Sequence, residues 1–206
     1  MRAPRLSRFL IALPLALMLA PGCSSDDGGN DGGDDSGDGN GDGTTTGNGE
    51  TVWNGDTNGA DEPANLEGIT ELHNAARATV SPPAATPIPP LVWSHDVASV
   101  AQAHAAKCTF EHSGNPYGEN IYASSGNSTP DKVVGSWVSE KENYDYASNG
   151  CSDVCGHYTQ VVWAASERLG CGMSACTDNG PFGDGPWEMW VCNYDPPGNF
   201  NGQKPY

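Results

Sequence analysis

Apolar residues recur every three or four positions in the first half of the chain, and this spacing predicts helices. The pattern is clear in residues 66–80 and again in residues 94–108, where Ser94 is a suitable N-cap. A third helix is predicted to start with Pro130 in its first turn, since proline is favoured there. The first half of the chain is therefore predicted to be helical.

The second half is rich in β-branched and aromatic residues, which favour strands. We predict strands at residues 157–163, 168–174 and 187–194, separated by glycine-rich turns, and a loop at residues 118–120. Helices grouped first and strands grouped last predict an α+β fold, in which helices cover an antiparallel sheet.

The amino terminus has the pattern of an export signal. Residues 1–22 combine a basic start with a short apolar run, which predicts a signal peptide. Cys23 follows directly, and this position predicts lipid attachment, as in a bacterial lipoprotein of the cell envelope surface. The alternative is cleavage after Gly22 and release as a secreted protein. In the first case the lipid at Cys23 would be the only contact with a membrane.

Charge and composition divide the rest of the chain into a linker and a domain. Residues 23–62 are acidic and glycine-rich, which predicts a disordered linker. The chain has a formal net charge of −17, and residues 63–206 hold six Lys/Arg and fifteen Asp/Glu. This acidic balance excludes a nucleic-acid partner, which requires basic patches. We expect one monomeric domain at residues 63–206.

The chain has seven cysteines, and six remain when Cys23 is set aside. An even number behind an export signal predicts three disulfide bonds. The alternative is a zinc site, because Cys151, Cys155 and His157 have a spacing that zinc ligands use.

Four polar residues are candidates for a functional site: His112, Glu119, Glu140 and His157. If the fold brings them together, two imidazoles and two carboxylates could hold a divalent metal ion with a position open to water. Without metal, they could form a hydrogen-bonded cluster or only fix loops.

The other histidines are given no role in the site. His104 lies on the apolar side of its helix, so we expect it to pack in the core. We expect His73 and His95 at the surface or at helix caps. No serine has the sequence context of a catalytic nucleophile, so none is assigned.

Three sequence blocks carry a resemblance to a known family: HSGNPYGENIY (112–122), GHYTQVVW (156–163) and CNYDPPGNFNGQKPY (192–206). Over about residues 65–206 the chain resembles the CAP superfamily (cysteine-rich secretory proteins, antigen 5 and pathogenesis-related proteins of group one), especially its plant branch. The resemblance implies a three-layer α–β–α sandwich. It also implies that the four candidate residues line a central cavity for zinc or another divalent ion, with the two histidines as its main ligands.

The same resemblance implies a disulfide pairing: Cys108–Cys176, Cys151–Cys155 and Cys171–Cys192. The chain departs from the family between Cys176 and Cys192, where residues 180–186 form a Gly/Pro-rich insert.

For function, the resemblance implies a surface module that binds a sterol, a fatty acid or a similar apolar ligand, or an envelope partner. One alternative is a metal-dependent hydrolase in which Glu119 or Glu140 activates water. It is less favoured, because the spacing shows no nucleophile and no set of three protein ligands. The other alternative is an adhesion or structural protein whose site is vestigial.

Overall fold

The computed structural model describes residues 61–178 and 180–206, and three short strands at residues 44–45, 51–52 and 56–57. These residues belong to one unit, Asn40–Tyr206. The predicted signal peptide, Cys23 and most of the predicted linker lie outside the described residues. Within the described part, no helix is both long and apolar enough to cross a membrane.

The residues that the structure describes form four α-helices and one 3₁₀ helix: α1 (Ile69–Ala78), α2 (His95–Ala105), α3 (Pro130–Ser139), the 3₁₀ helix (Glu140–Asn143) and α4 (Gly156–Val161). Helices α1 to α3 lie where the sequence predicts them, but α1 and α2 are shorter than the predicted segments 66–80 and 94–108. Ser94 is the N-cap of α2 and Pro130 occupies the first turn of α3, as predicted. Helix α3 ends at Ser139, and Glu140 opens the 3₁₀ helix that follows it.

The strands are β1 (Thr44–Thr45), β2 (Thr51–Val52), β3 (Asp56–Thr57), β4 (Val92–Ser94), β5 (Gly118–Ser124), β6 (Tyr144–Asp145), β7 (Gly150–Cys151), β8 (Arg168–Cys176) and β9 (Trp187–Asp195). The main sheet has the order β3-β4-β8-β9-β5. The long strands β8, β9 and β5 are antiparallel, as predicted, whereas the short β4 runs parallel to β8. The sheet is therefore mixed.

Two segment predictions are wrong. The composition of residues 157–163 predicts a strand, but Gly156–Val161 is helix α4. Four consecutive residues of α4 are buried, so contacts on several sides outweigh their strand propensity. The predicted loop at residues 118–120 is the start of β5, where Asn120 pairs with Cys192 on β9.

Helices lie on both faces of the sheet, which gives three layers. Helix α2 lies against β8 so closely that a Cβ on Gly170 would be 2.0 Å from the Ala98 nitrogen. On the opposite face, α1, α3 and α4 enclose the larger core, which includes Trp93, Trp137 and Trp190. The α–β–α sandwich implied by the resemblance is the observed fold.

Two parts of the predicted linker take part in this domain. Asp56–Thr57 pairs with β4 at the edge of the main sheet. The Glu62 carboxylate accepts hydrogen bonds from the backbone N–H groups of Gly68 (2.6 Å) and Thr70 (2.8 Å) at the start of α1. The prediction of a disordered linker over residues 23–62 is therefore wrong for Asp56, Thr57 and Glu62.

The six cysteines form three bridges, Cys108–Cys176, Cys151–Cys155 and Cys171–Cys192. This is the pairing that the resemblance implied.

Candidate functional site

The first candidate pair joins His112 to Glu119 at the start of β5. His112 Nδ1 lies 2.8 Å from Glu119 Oε1, and the same oxygen accepts the Ser113 backbone N–H at 2.9 Å. The Asn115 side-chain amide donates to the other oxygen at 3.4 Å. The Glu119 side chain is 7% exposed and that of His112 is 63% exposed. The Glu119 carboxylate therefore fixes the loop of residues 112–115, while the His112 imidazole reaches solvent.

The pKa of Glu119 reflects these contacts. Burial alone would raise it, but the hydrogen bonds from Ser113 and His112 lower the pKa below its usual value. Glu119 is therefore ionised at neutral pH and acts as a hydrogen-bond acceptor.

The second pair joins His157 to Glu140. His157 Nδ1 lies 2.6 Å from Glu140 Oε1, and Glu140 Oε2 accepts the backbone N–H groups of His157 (3.0 Å) and Tyr158 (3.3 Å). The indole of Trp137 stacks on the His157 ring with 6.3 Å between centroids and an angle of 16°. The 3₁₀ helix thus supplies a carboxylate that caps the start of α4 and orients its histidine.

Asn120 links the second pair to the strand that carries the first. It follows Glu119 on β5, and its side-chain amide donates to the His157 carbonyl at 3.1 Å and to the Tyr194 hydroxyl at 3.0 Å. The Tyr194 hydroxyl in turn lies 2.9 Å from His73 Nε2. Strand β5 therefore carries Glu119 of the first pair and, through Asn120, contacts the backbone of His157 in the second pair.

His73 is buried in this network, so the prediction that it lies at the surface or at a cap is wrong. Its Nδ1 donates to the Ile69 carbonyl at 2.7 Å, which leaves Nε2 as the acceptor from Tyr194. Burial lowers the pKa of His73 to about 4. His104 is buried, as predicted.

A cavity of about 260 Å³ lies beside the first pair, and its lining includes His112, Tyr117, Glu119, Gln160 and Asn199. Gln160 shapes it from α4, because its Oε1 accepts the Gly198 backbone N–H at 3.0 Å. A Cβ on Gly118 would be only 2.3 Å from the same oxygen, so a larger residue here would displace the Gln160 amide.

The four predicted residues are thus arranged as two pairs, and in the part of the chain that the structure describes, no group of three or more His, Cys, Asp or Glu could hold a metal ion. Sequence reasoning missed Asn120, Gln160 and Tyr194. All three lie inside the sequence blocks that carry the resemblance, and this was the available signal.

Each glutamate determines which nitrogen of its imidazole carries the proton. Ionised glutamate can only accept, so Nδ1 carries the proton in each pair, and Nε2 of a neutral ring keeps its lone pair. A carboxylate behind a histidine is the usual support of a metal-binding imidazole. Two imidazoles fit a borderline ion such as zinc as part of its ligand set, and water would supply the remaining positions.

Sequence comparisons identify relatives of this chain. The model of the CAP family, described as the cysteine-rich secretory protein family, matches residues 70–194. Pathogenesis-related protein 1 of Arabidopsis thaliana is 44% identical over 139 residues, which cover 66% of this chain and 78% of the relative. Pathogenesis-related protein 1B of Nicotiana tabacum is 45% identical over 143 residues, with coverage of 66% and 77%.

Solved structures show the same fold. Venom allergen-like protein 4 of Schistosoma mansoni matches with a TM-score of 0.58 and 25% identity, covering 70% of this chain and 95% of that chain. The crystal structure of NaASP2 with Zn²⁺ matches with a TM-score of 0.58 and 27% identity, covering 70% and 86%. The predicted resemblance and α+β fold are confirmed.

Proposed function

Because this chain belongs to the cysteine-rich secretory protein family, we propose that it is an exported binding module and not a hydrolase. Its two histidine–glutamate pairs hold a divalent cation, and a separate cavity takes an amphipathic apolar ligand. The observation that carries the proposal is the number of hydrogen bonds that the Glu119 and Glu140 carboxylates already accept. Each accepts at least three hydrogen bonds from its own histidine and from neighbouring N–H groups.

A hydrolase with this site would need one of these carboxylates to take a proton from water. Glu140 would have to give up contacts that cap α4, and Glu119 would have to give up the contacts that fix residues 112–115. The low pKa of Glu119 also makes it a weak proton acceptor. Both carboxylates are therefore better suited to orient imidazoles than to act as general bases.

The cation would be held by Nε2 of His112 and of His157. Support comes from the contact of each Nδ1 with its glutamate, which leaves the Nε2 lone pair for a ligand, and from the solved structure of the relative NaASP2 with Zn²⁺. A bound ion would supply positive charge for an anionic group of a ligand.

The apolar ligand would occupy a cavity of about 340 Å³ between the end of α1 and the end of α3. Its lining combines apolar side chains (Ala76, Val80 and Val138) with polar or charged ones (Thr79, Ser81, Lys141, Glu142 and Tyr158). This volume is at the lower end of the range for small-molecule sites. The apolar side chains suit an alkyl chain and the Lys141 ammonium suits a carboxylate, so we propose a fatty acid and not a bulky sterol.

Export follows from the family and from the disulfide bridges, which persist in oxidising compartments. The two sequence relatives described above, from Arabidopsis thaliana and Nicotiana tabacum, are plant proteins and give no support to a bacterial envelope lipoprotein. Lipid attachment at Cys23 stays a prediction, and intact-mass analysis of the exported protein would test it.

Calorimetric titration with Zn²⁺ tests the cation site. We expect His112→Ala and His157→Ala each to weaken Zn²⁺ binding at least tenfold, and acidification to pH 5 to weaken it in the unaltered protein, because a protonated imidazole cannot ligate. Glu142→Gln, which removes an exposed carboxylate two residues after Glu140, is the control. Equal affinity in all four proteins would contradict the cation site.

Displacement of a fluorescent fatty acid tests the apolar cavity. Val138→Lys places a charge in its wall and should abolish binding, whereas Val154→Lys, at a position 56% exposed elsewhere, should not. Equal binding by both variants would refute this ligand site.

A further inference from the structure

The bridge between Cys151 and Cys155 differs from the other two in its exposure. Cys151 is exposed at the end of β7, while its partner Cys155 is 2% exposed. The bridge Cys171–Cys192 joins two buried residues on adjacent strands, and Cys108–Cys176 joins a half-buried residue to a buried one. A thiolate from solvent can therefore approach one sulfur of Cys151–Cys155 more easily than those of the other bridges.

This bridge also lines a second cavity of about 260 Å³, which is not the one lined by His112 and Glu119. Tyr144, Trp163 and Phe200 contribute to the same lining, and Phe200 is 50% exposed. The rings of Trp163 and Phe200 lie 6.0 Å apart at 60°. The cavity gives a small molecule a partly aromatic path to the sulfur atoms.

Cys151–Cys155 joins the β6–β7 hairpin to the start of α4. Cys151 pairs with Tyr144 in the hairpin, and the Cys155 carbonyl accepts the Thr159 backbone N–H at 3.0 Å in the first turn of α4. His157 lies in that same turn. A helix of 6 residues is not stable by itself, so it depends on such attachments.

We propose that Cys151–Cys155 is a redox-labile bridge that undergoes exchange with a small dithiol in this cavity, and that its opening loosens the His157–Glu140 pair. A thiolate of the dithiol attacks Cys151 Sγ, which forms a mixed disulfide and releases Cys155 as a thiolate. The second thiolate of the dithiol then displaces Cys151, so the dithiol leaves as a cyclic disulfide. Two electrons and two protons pass from the dithiol to the two cysteines.

Opening this bridge leaves the domain folded. Its cysteines are 4 residues apart, against 68 and 21 in the other bridges. A short loop restricts the unfolded chain least, so its loss removes the least stability of the three. The effect is therefore confined to the hairpin and α4.

The test uses the full oxidised chain, dithiothreitol as the dithiol and no denaturant. Samples are alkylated at intervals, and peptide mass spectrometry follows the labelling of each cysteine. We expect Cys151 and Cys155 to be labelled at least tenfold faster than the other four cysteines in the bridges. Equal rates, or faster opening of Cys108–Cys176, would overturn the proposal.

A second measurement follows His157 in the same reaction by ¹H–¹⁵N NMR of the imidazole. We expect the His157 signal to shift or broaden as this bridge opens, while the indole signal of Trp93 in the core stays unchanged. The double variant C151S/C155S should show the altered signal without reductant, and C108S/C176S should not. Selective opening with an unchanged His157 signal would overturn the coupling. The samples receive no metal ion, so these outcomes are independent of cation binding.

Discussion

Replacement of Arg77 should lower the free energy of unfolding more than any surface substitution, because this cation is buried against backbone carbonyls. Arg77 is 1% exposed and donates five hydrogen bonds of 2.8–3.0 Å. The acceptors are the carbonyls of Pro89, Val161, Trp163 and Ser166. Val161 ends α4, and Trp163 and Ser166 follow it, so Arg77 also supports the helix that carries His157. Burial lowers its pKa to about 10, and it remains charged at neutral pH.

The magnitude follows from the groups left without partners. A hydrogen bond to a charged group contributes about 1.5–3 kcal/mol, and a buried carbonyl without a donor costs about 1–3 kcal/mol. Part of this is returned, because burying a guanidinium is itself costly by several kcal/mol. For Arg77→Met we therefore expect a loss of about 4 kcal/mol, a large part of the roughly 5–15 kcal/mol of a typical domain. Arg77→Lys should lose about 2 kcal/mol, because one ammonium cannot reach all four carbonyls.

Urea denaturation followed by tryptophan fluorescence measures these losses. Arg168→Met is the matched control, because Arg168 forms a partly exposed ion pair with Asp195 and should cost below about 1 kcal/mol. A loss under about 1 kcal/mol for Arg77→Met, or equal losses for the two methionine variants, would refute the reasoning.

Two further predictions concern His73 and the glycines. Because the pKa of His73 is lowered to about 4, the unfolded chain binds a proton that the folded chain does not. Stability should therefore fall by up to about 3 kcal/mol as pH falls from 6.5 to 4, and His73→Gln should lose this component in urea titrations at pH 7 and 4.5. Gly170→Ala should cost at least about 3 kcal/mol through its contact with the α2 backbone, whereas Gly135→Ala in α3 meets nothing within 4 Å and should be neutral or stabilising by up to about 1 kcal/mol; thermal denaturation showing equal melting temperatures would contradict this.

The periodic parts of the sequence were predictable because their pattern is local. Pro130 and the apolar spacing locate α3 without knowledge of its neighbours. The strand prediction for residues 157–163 is wrong because the valines and the tyrosine of this segment favour a strand. The contacts that make α4 helical come from the Cys151–Cys155 bridge, the 3₁₀ helix and Arg77. The 3₁₀ helix and Arg77 lie elsewhere in the sequence.

The resemblance supports the four candidate residues, whereas neither it nor their spacing along the chain predicts which side chains pair. Glu140 and His157 are 17 positions apart, and their hydrogen bond depends on the 3₁₀ helix that ends α3. The burial of His73 was not predictable either, since its partner Tyr194 is 121 positions away. A polar residue looks exposed in a sequence until the group that satisfies it is known.

The protonation of the two imidazoles tests most directly the claim that Glu119 and Glu140 orient their histidines. Long-range ¹H–¹⁵N NMR at pH 8 distinguishes a protonated Nδ1 from a protonated Nε2 in each neutral ring. We predict the Nδ1–H form for both His112 and His157, and a shift toward a tautomer mixture in Glu119→Gln and Glu140→Gln respectively. Nε2–H as the main form of either ring in the unaltered protein would contradict the account.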